Sequence, residues 1–503
     1  MIKKRYSTES IISMGGDFMF RSKRSRYLFV IMLAMTFGLI ASAPASFATD
    51  VLPGGEADAA ITKLTRHQAL AREILKQLIE INTTDSVGDT TEAAHAMAAR
   101  LEAAGFPKES LHVIGPHPRK GNLVARYSGT GARPPLLLLA HLDVVEARQE
   151  DWSFDPFTFL EQDGYFYGRG STDDKAMAAI WMANFIRMKE EGFIPDRDLI
   201  MALTADEEGG DHNGVAWLLE NHRQLIDATY CLNEGGDGAI RNDKYLSNDI
   251  QLSEKVYMTV QLEVTNPGGH SSLPEKDNAI YHLAEGLSRL AKFDFPVRLD
   301  EITRTYFERM AEIEGGRIGR AMKAITTNPP DPGAVARLSE MPYYNAMMRT
   351  TCVATELKAG HAENALPQSA RATVNCRVLP GDSPDEVRRT LSEVLDDEAI
   401  KMTTIWAPVA SPASPLNEEI MEPVKRITHD LWPGVPLIPT MITGATDGLY
   451  LRNAGIPTYG ISGLFGDLDD IRAHGQDERI GIRQFFEGQE FLDRVVKALS
   501  SSR

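Results

Sequence analysis

The chain has 503 residues, 43% hydrophobic and 24% charged, proportions of a globular protein long enough for two or three domains. A formal net charge of −17 argues against a nucleic-acid partner. Its three cysteines, Cys231, Cys352 and Cys376, are too few for a disulfide scaffold and stand in no metal-binding or nucleophilic spacing.

Residues 1–48 read as a secretory signal peptide. The basic patch Arg21-Ser-Lys23-Arg24-Ser-Arg26 precedes an apolar run, Tyr27 to Ala41, and Ser46-Phe47-Ala48 places small residues where a signal peptidase prefers them. An uncleaved membrane anchor is the alternative, and the run is shorter than the roughly 20 residues a span needs. Met14 and Met19 are alternative starts. The leader holds seven Lys/Arg and two Asp/Glu, so the remainder carries −22. An exported acidic protein, in a bacterial periplasm, is expected.

After the leader, Thr65 to Asn82 has helical spacing, and Thr91 to Ala104 is an Ala-rich helix that Gly105 stops. Asn122 to Tyr127 and Pro135 to Ala140 read as strands, the second apolar throughout and therefore buried on both faces. Asp174 to Lys189 is helical. Leu199 to Thr204 and Ala228 to Asn233 are further buried strands around a helix near Gly214 to Arg223. Alternating strand and helix predicts an α/β fold with a mainly parallel central sheet.

From Lys255 the pattern changes. Val256 to Val264 alternates as a strand, Asn278 to Lys292 is amphipathic, and Met347 to Leu357 and Ala370 to Val378 read as paired strands. Ser383 to Leu395 is a helix and Lys401 to Trp406 a strand. Two helices on one four-stranded antiparallel sheet make an α+β, ferredoxin-like module. Asp300 to Tyr344, with Asn328-Pro-Pro-Asp-Pro-Gly, reads as a helical elaboration carrying a Pro-rich loop. The α/β pattern resumes with a helix near Glu418 to Leu431 and Gly-rich stretches around Gly444 and Gly463. The expected domains are a catalytic part over 49–254, an inserted domain over 255–408, and the rest of the catalytic domain over 409–503. Cys352 and Cys376 fall in the paired strands, which leaves both a bridge and two buried thiols open.

The chemistry sits in four clusters: His141-Leu-Asp143, Asp173-Asp174-Lys175, Asp206-Glu207-Glu208 and Asn233-Glu234-Gly-Gly, with His474 far downstream. All but the Asp173 turn follow the carboxyl end of an apolar strand, where open α/β sheets place their crevice. Alone, each cluster has an ordinary reading as a capping or surface group. Together, so many carboxylates and imidazoles facing one cleft are electrostatically costly without cations, so the pattern points to a two-metal hydrolase. A neutral His141 ring suits a metal, with Asp143 holding its other nitrogen.

These residues resemble the binuclear zinc exopeptidases that include aminoacylase, carboxypeptidase S and succinyl-diaminopimelate desuccinylase. The motifs are His141-Leu-Asp143, Gly170-Ser-Thr-Asp173-Asp174-Lys175, Asp206-Glu207-Glu208-Gly, Asn233-Glu234-Gly-Gly and Ala473-His474-Gly, spread from about Thr65 to the C-terminus. The resemblance implies a zinc-exopeptidase-type catalytic domain and an inserted lid and dimerisation domain. It implies one Zn²⁺ on His141, Asp173 and Glu234 and a second on Asp173, Glu208 and His474, with Asp173 bridging; Co²⁺ or Mn²⁺ would also suit such donors. Glu207 is then the general base and acid, acting on a water that bridges the metals.

The same resemblance makes His270, in Asn266-Pro-Gly-Gly-His270, a lid histidine that stabilises the oxyanion in a partner subunit, so a homodimer is implied. Asn364 and Arg377 match residues that hold the substrate carboxylate or amide oxygen, and Gly444 to Asp447, with Thr446, match a loop lining the pocket. The Asn-Glu-Gly-Gly form and the 300–344 insertion resemble the carboxypeptidase S and N-acyl amino acid hydrolase branch. The implied activity is cleavage of a peptide or amide bond next to a free α-carboxylate, carboxypeptidase or dipeptidase in type. An aminoacylase acting on N-acyl amino acids is the rival, and a catalytically silent binding protein the distant third. Membrane association is expected only if the leader stays uncleaved.

Overall fold

The computed structural model describes residues 64–501; the leader lies outside them. The first helix, Arg66–Glu80, starts at a reciprocal cap in which Gln68 N–H donates to Thr65 Oγ1 and Thr65 N–H to Gln68 Oε1. It buries Ala71, Ile74, Leu75, Leu78 and Ile79, a single apolar stripe.

A ten-stranded sheet forms the centre of the fold. Strand Arg133–His141 pairs in parallel with Arg197–Thr204 on one side and Tyr230–Asn233 on the other, and Thr458–Gly460 continues the parallel run. The flanks are antiparallel: Leu111–Ile114 and Asn122–Tyr127 at one edge, Gly238–Arg241 and Lys244–Glu254 toward the other. From Leu136 to His141 every residue is buried, as expected of a strand covered on both faces. Helix Lys175–Glu190 is buried almost all round, and its Trp181 Nε1 donates to the carbonyl of Leu139.

The hairpin Gly238–Arg241 to Lys244–Glu254 has no counterpart in the sequence reading. It turns on Asn242 and Asp243, both in the left-handed region with φ of 51° and 58°, as a two-residue hairpin loop requires. Its long strand escapes a hydrophobicity pattern because its buried side chains include Ser247, Asn248, Gln251, Ser253 and Glu254. Asn248 Nδ2 donates to Thr428 Oγ1 and Gln251 Nε2 to Glu254 Oε2, while Asn248 Oδ1, Gln251 Oε1 and Ser253 Oγ are buried without a hydrogen-bond partner.

Between Lys244–Glu254 and Leu437–Ile442, which pair in parallel, the chain builds a second sheet. Its order is Thr351–Ala359, Ser369–Val378, Val256–Thr265, Lys401–Trp406, all antiparallel. Helices Ala279–Leu290 and Pro384–Leu395 give it a core of its own, with Met258, Val260, Leu262, Leu283, Val374 and Leu391. Cys352 and Cys376 face each other across paired strands and form a disulfide, while Cys231 is a buried thiol. The strand expected from Met347 begins instead at Thr351, because Pro342–Met348 is helical.

Helices Glu301–Glu314, Gly316–Ile325, Pro332–Ser339 and Pro342–Met348 send Phe307, Met310, Met322, Leu338 and Met347 into the core of the large sheet. The part of the 255–408 span with an independent core is therefore smaller than the span itself. Among the described residues no helix is long and apolar enough to cross a membrane.

Candidate active site

Strand Arg133–His141 ends on a buried imidazole. His141 Nδ1 is 2.9 Å from the backbone carbonyl of Asp143, which turns Nε2 into the cleft. Nε2 lies 2.9 Å from Asp173 Oδ1 and 3.7 Å from Glu234 Oε2. The other oxygen of Asp173 is 3.1 Å from His474 Nε2, which is in turn 2.8 Å from Glu208 Oε1. Asp173 thus offers one carboxylate oxygen to each of two donor sets. The neighbouring carboxylate of Asp174 lies within 4.8 Å of the His141 and Glu234 donors as well, and its Oδ2 is buried without a hydrogen-bond partner.

Electrostatics tests whether cations fit here. Burial raises Glu234 to about 7, with Asp173 and Glu208 adding repulsion against the pull of His141. Burial and the Glu234 carboxylate push Asp174 and Glu207 well above the usual carboxylate range. Asp173 is the exception: burial opposes its charge, but hydrogen bonds from His141 and His474 hold it low. Hydrogen bonds to Asp173 and Glu208 raise His474 to about 10. Carboxylates crowded this closely share protons when nothing else neutralises them, and oxygen and imidazole donors around an orphaned buried oxygen suit divalent cations of the zinc type.

Contacts remote in sequence hold the centre in place. The Asp143 carboxylate does not reach the His141 ring as expected, Oδ1 standing 3.7 Å from Nδ1. It accepts instead from the backbone N–H groups of Glu207 and Glu208, at 3.1 and 2.9 Å. Asp143 therefore fixes the turn that carries the expected base, and only its carbonyl orients the imidazole. That turn is pinned again at Asp206, in the left-handed region with φ of 57°, whose carboxylate accepts from Lys120 Nζ at 2.5 Å and from His212 N–H. Glu207 faces the same centre, half-buried, between the carboxylates of Glu234, Glu208 and Asp447.

Glu478 does for Asp173 what Asp143 does for Glu207. Fully buried and paired with Arg169 at 2.7 Å, it accepts from the backbone N–H of Gly170, Thr172 and Asp173. Arg169 also donates to Gly475 O, next to His474, so one ion pair joins the loops of two candidate ligands. Asp447 is a third buried support, receiving Asn213 Nδ2 at 2.6 Å and Thr204 Oγ1 at 3.3 Å. Lys120 and Glu478 carried no motif in the sequence reading, and Asp447 entered it only as the end of the 444–447 loop.

The remaining expected residues separate into two groups. Thr446 is buried, its N–H and hydroxyl both donating to Glu254 Oε2. It fastens the 444–447 loop, Gly444 included, to the strand that ends at Glu254. His270 and Asn364 meet on a short ribbon where Gly269–His270 pairs with Ala365–Leu366. Both are exposed, Ser271 N–H donates to Asn364 O, and none of their hydrogen bonds reaches the acidic centre. Arg377, half-buried, lies with its guanidinium 4.6 Å from the Tyr257 ring.

Two imidazole–carboxylate sets sharing one bridging carboxylate, on the carboxyl ends of parallel strands, agree with the family match. The model for peptidase family M20/M25/M40 matches residues 137–498. The chain belongs to this family. A N-fatty-acyl-amino acid synthase/hydrolase PM20D1 of Xenopus tropicalis is 31% identical over 353 residues, covering 69% of each chain. A probable carboxypeptidase S-like 2 of Dictyostelium discoideum is 28% identical over 411 residues, covering 78% of this chain and 77% of its own. The fold matches an M20 family metallo-carboxypeptidase from Sulfolobus solfataricus with a TM-score of 0.64 at 17% identity, over 86% of this chain and 99% of the other. The protein is a metal-dependent hydrolase of this family.

Proposed function

We propose that this M20 hydrolase cleaves the peptide or amide bond on the amino side of a free α-carboxylate, as a carboxypeptidase or dipeptidase. The observation that carries the reading is Asp173, which presents one oxygen to the His141–Glu234 set and the other to the His474–Glu208 set, beside a separate carboxyl, Glu207. An N-acyl amino acid amidohydrolase is the second reading, supported by the name of the Xenopus relative. A silent binding protein has no use for Glu207, Asp173 and His474 together.

His141, Asp173 and Glu234 would hold one divalent cation and Asp173, Glu208 and His474 the other, with Zn²⁺ the best match to nitrogen and oxygen donors. Bound there, the cations supply Lewis acidity that polarises the carbonyl and lowers the pKa of a water from ~16 toward ~7. Glu207 takes a proton from the attacking water and delivers it to the leaving nitrogen as the C–N bond breaks, releasing an acid and an amine. Arg377 pairs with the α-carboxylate of the substrate. His270 and Asn364, exposed and remote from the centre's hydrogen bonds, donate to the developing oxyanion of a partner subunit in a homodimer. Residues 1–48 direct export and are then removed, which N-terminal sequencing of the exported protein tests.

Chelation followed by reconstitution with Zn²⁺, Co²⁺ or Mn²⁺ should remove and restore turnover of peptidyl and N-acyl amino acids. Amidation of the α-carboxylate should lower kcat/KM by about 100-fold, the loss of one desolvated charge pair. Equal turnover of free and amidated substrates would exclude the carboxylate requirement.

A further inference from the structure

The sequence gives no side-chain preference, yet the structure holds a pocket of the right kind beside Arg377. It has a volume of about 260 Å³ and is lined by Val256, Tyr257, Trp406, Val409, Leu449 and Tyr450. It lies where the second sheet meets the 444–450 segment. Trp406 is 57% exposed, Val409 51% and Tyr257 41%. Single exposed apolar residues are ordinary, but three lining one concave site mark a place where an apolar group docks. The volume is below the ~300–1,000 Å³ of pockets that enclose a whole drug-sized ligand, and so suits one side chain.

The pocket adjoins the 444–447 loop on one side, with Ala445 in its wall, and a cation on the other, where Tyr257 meets Arg377. Leu449 and Tyr450 follow the Thr446–Asp447 loop, Glu254 in the same wall accepts from Thr446, and Asp447 is held by Thr204 and Asn213. Tyr257, on the opposite wall, stands across from Arg377 in the strand register and carries its guanidinium on its ring. Among the described residues Arg377 has no carboxylate partner; its Nε donates only to Asn375 Oδ1, at 3.3 Å. A half-buried guanidinium without an anion is an invitation to a carboxylate.

Charges at the pocket are already neutralised. Glu254 is paired with Arg452 at 2.7 Å and receives Thr446, and Lys255 turns its ammonium away to the carbonyl of Arg349. Once Arg377 holds the α-carboxylate, a charged side chain would find no further partner there. The other cleft beside the centre, lined by Leu464, Phe465 and Ile471 with Arg472 and Arg479, differs in this respect. Both of its guanidinium groups are paired with Asp470 at 2.7 Å, so it has no free cation for a carboxylate.

We propose that this pocket is the side-chain subsite for the carboxylate-bearing half of the substrate, and that it selects large apolar side chains, aromatic or branched aliphatic. The assignment rests on the amide-hydrolase reading above. With the α-carboxylate on Arg377, the adjacent side chain falls against Tyr257 and reaches Trp406, Val409 and Leu449, while the scissile amide points to the acidic centre.

The test uses the full mature chain reconstituted with Zn²⁺ and the N-acetyl derivatives of Phe, Leu, Ala and Asp. The Phe and Leu compounds should exceed Ala in kcat/KM by at least about 10-fold, with Asp lower still. Trp406→Ala and, separately, Leu449→Ala should each narrow the Phe-to-Ala ratio several-fold, mainly through KM. In the wild type, free L-phenylalanine should inhibit at a lower concentration than free L-alanine. Turnover of all four compounds at similar kcat/KM, or ratios unmoved by both substitutions in folded protein, would overturn the subsite and leave the hydrolase reading intact. No turnover of any carboxylate-bearing amide after reconstitution would remove both.

Discussion

Around Asp173 the backbone that carries the acidic residues is held by buried partners, whereas His270 and Asn364 sit on an exposed ribbon bonded to Ser271, Ser272 and Leu273. At the centre, Asp143, Lys120 and Glu478 fix the backbone that carries Glu207, Glu208 and Asp173. Ligands for ions that tolerate only small displacements need such over-determined placement. Residues that complete a site on another surface need exposure instead. The large core thus preorganises charge, and in the proposed reading the second sheet presents hydrogen-bond donors and an apolar subsite to a substrate or a partner subunit.

The contrast is sharpest where chemistry can be removed without removing structure. Glu207→Gln should lower kcat by about 10³-fold while metal content, measured by elemental analysis, and the thermal midpoint stay at wild-type values. Parallel loss of both cations would show that Glu207 is a ligand rather than a proton carrier.

Next in size is the support beneath the same turn. Lys120 and Asp206 are almost fully buried as an ion pair, so Lys120→Met leaves an uncompensated carboxylate and should cost about 3–5 kcal/mol in denaturant unfolding. A change below about 1 kcal/mol would mean that solvent and the His212 N–H satisfy Asp206 without Lys120.

His270→Ala should behave in the opposite way: kcat falls about 100-fold, as for loss of one oxyanion donor, with no shift in unfolding midpoint and no change in sedimentation of the proposed dimer. Unchanged kinetics in a purified dimer would take His270 out of the reaction.

The smallest effect concerns the surface of the second module. A hydrogen bond to Asp397 raises His282 above its ordinary value, and the same contact lowers Asp397. A raised imidazole contributes stability in full below its unfolded pKa and loses it as pH rises through the folded one. A lowered carboxyl contributes above its unfolded pKa and loses it as pH falls through the folded one. The pair therefore helps most between about pH 4 and about pH 6.5. His282→Gln should cost only ~0.2–1 kcal/mol in that window and nothing in mildly alkaline buffer, as followed by thermal unfolding; an equal cost at both would indicate lost packing rather than lost charge.

Much of this was legible in order along the chain. His141, Glu207, Glu208 and Glu234 stand at the ends of apolar strands, and a sheet whose strands run parallel brings those ends to one edge. The second sheet was visible because its strands alternate and its helices carry clean apolar stripes. The hairpin at 238–254 was hidden because its buried strand is filled with polar side chains, which no hydrophobic period marks. The clamp of Glu478 on Asp173 spans 305 residues, and no local pattern predicts which carboxylate will face which N–H across such a distance. Asp143 shows the same limit at short range: its spacing from His141 is right, but backbone direction decides that its carbonyl, not its carboxylate, meets the ring.

By itself, the amino-acid order determined the donor types, the strands that present them and the family to which they belong, because hydrophobic period and ligand chemistry are local properties. Only the tertiary structure decided that Asp173 faces two imidazoles at once, that Thr446 is tied down by Glu254, that Cys352 meets Cys376, and that an unpaired Arg377 lies beside an apolar pocket. Those outcomes depend on distances between segments remote in sequence, and such distances are set by packing of the whole chain.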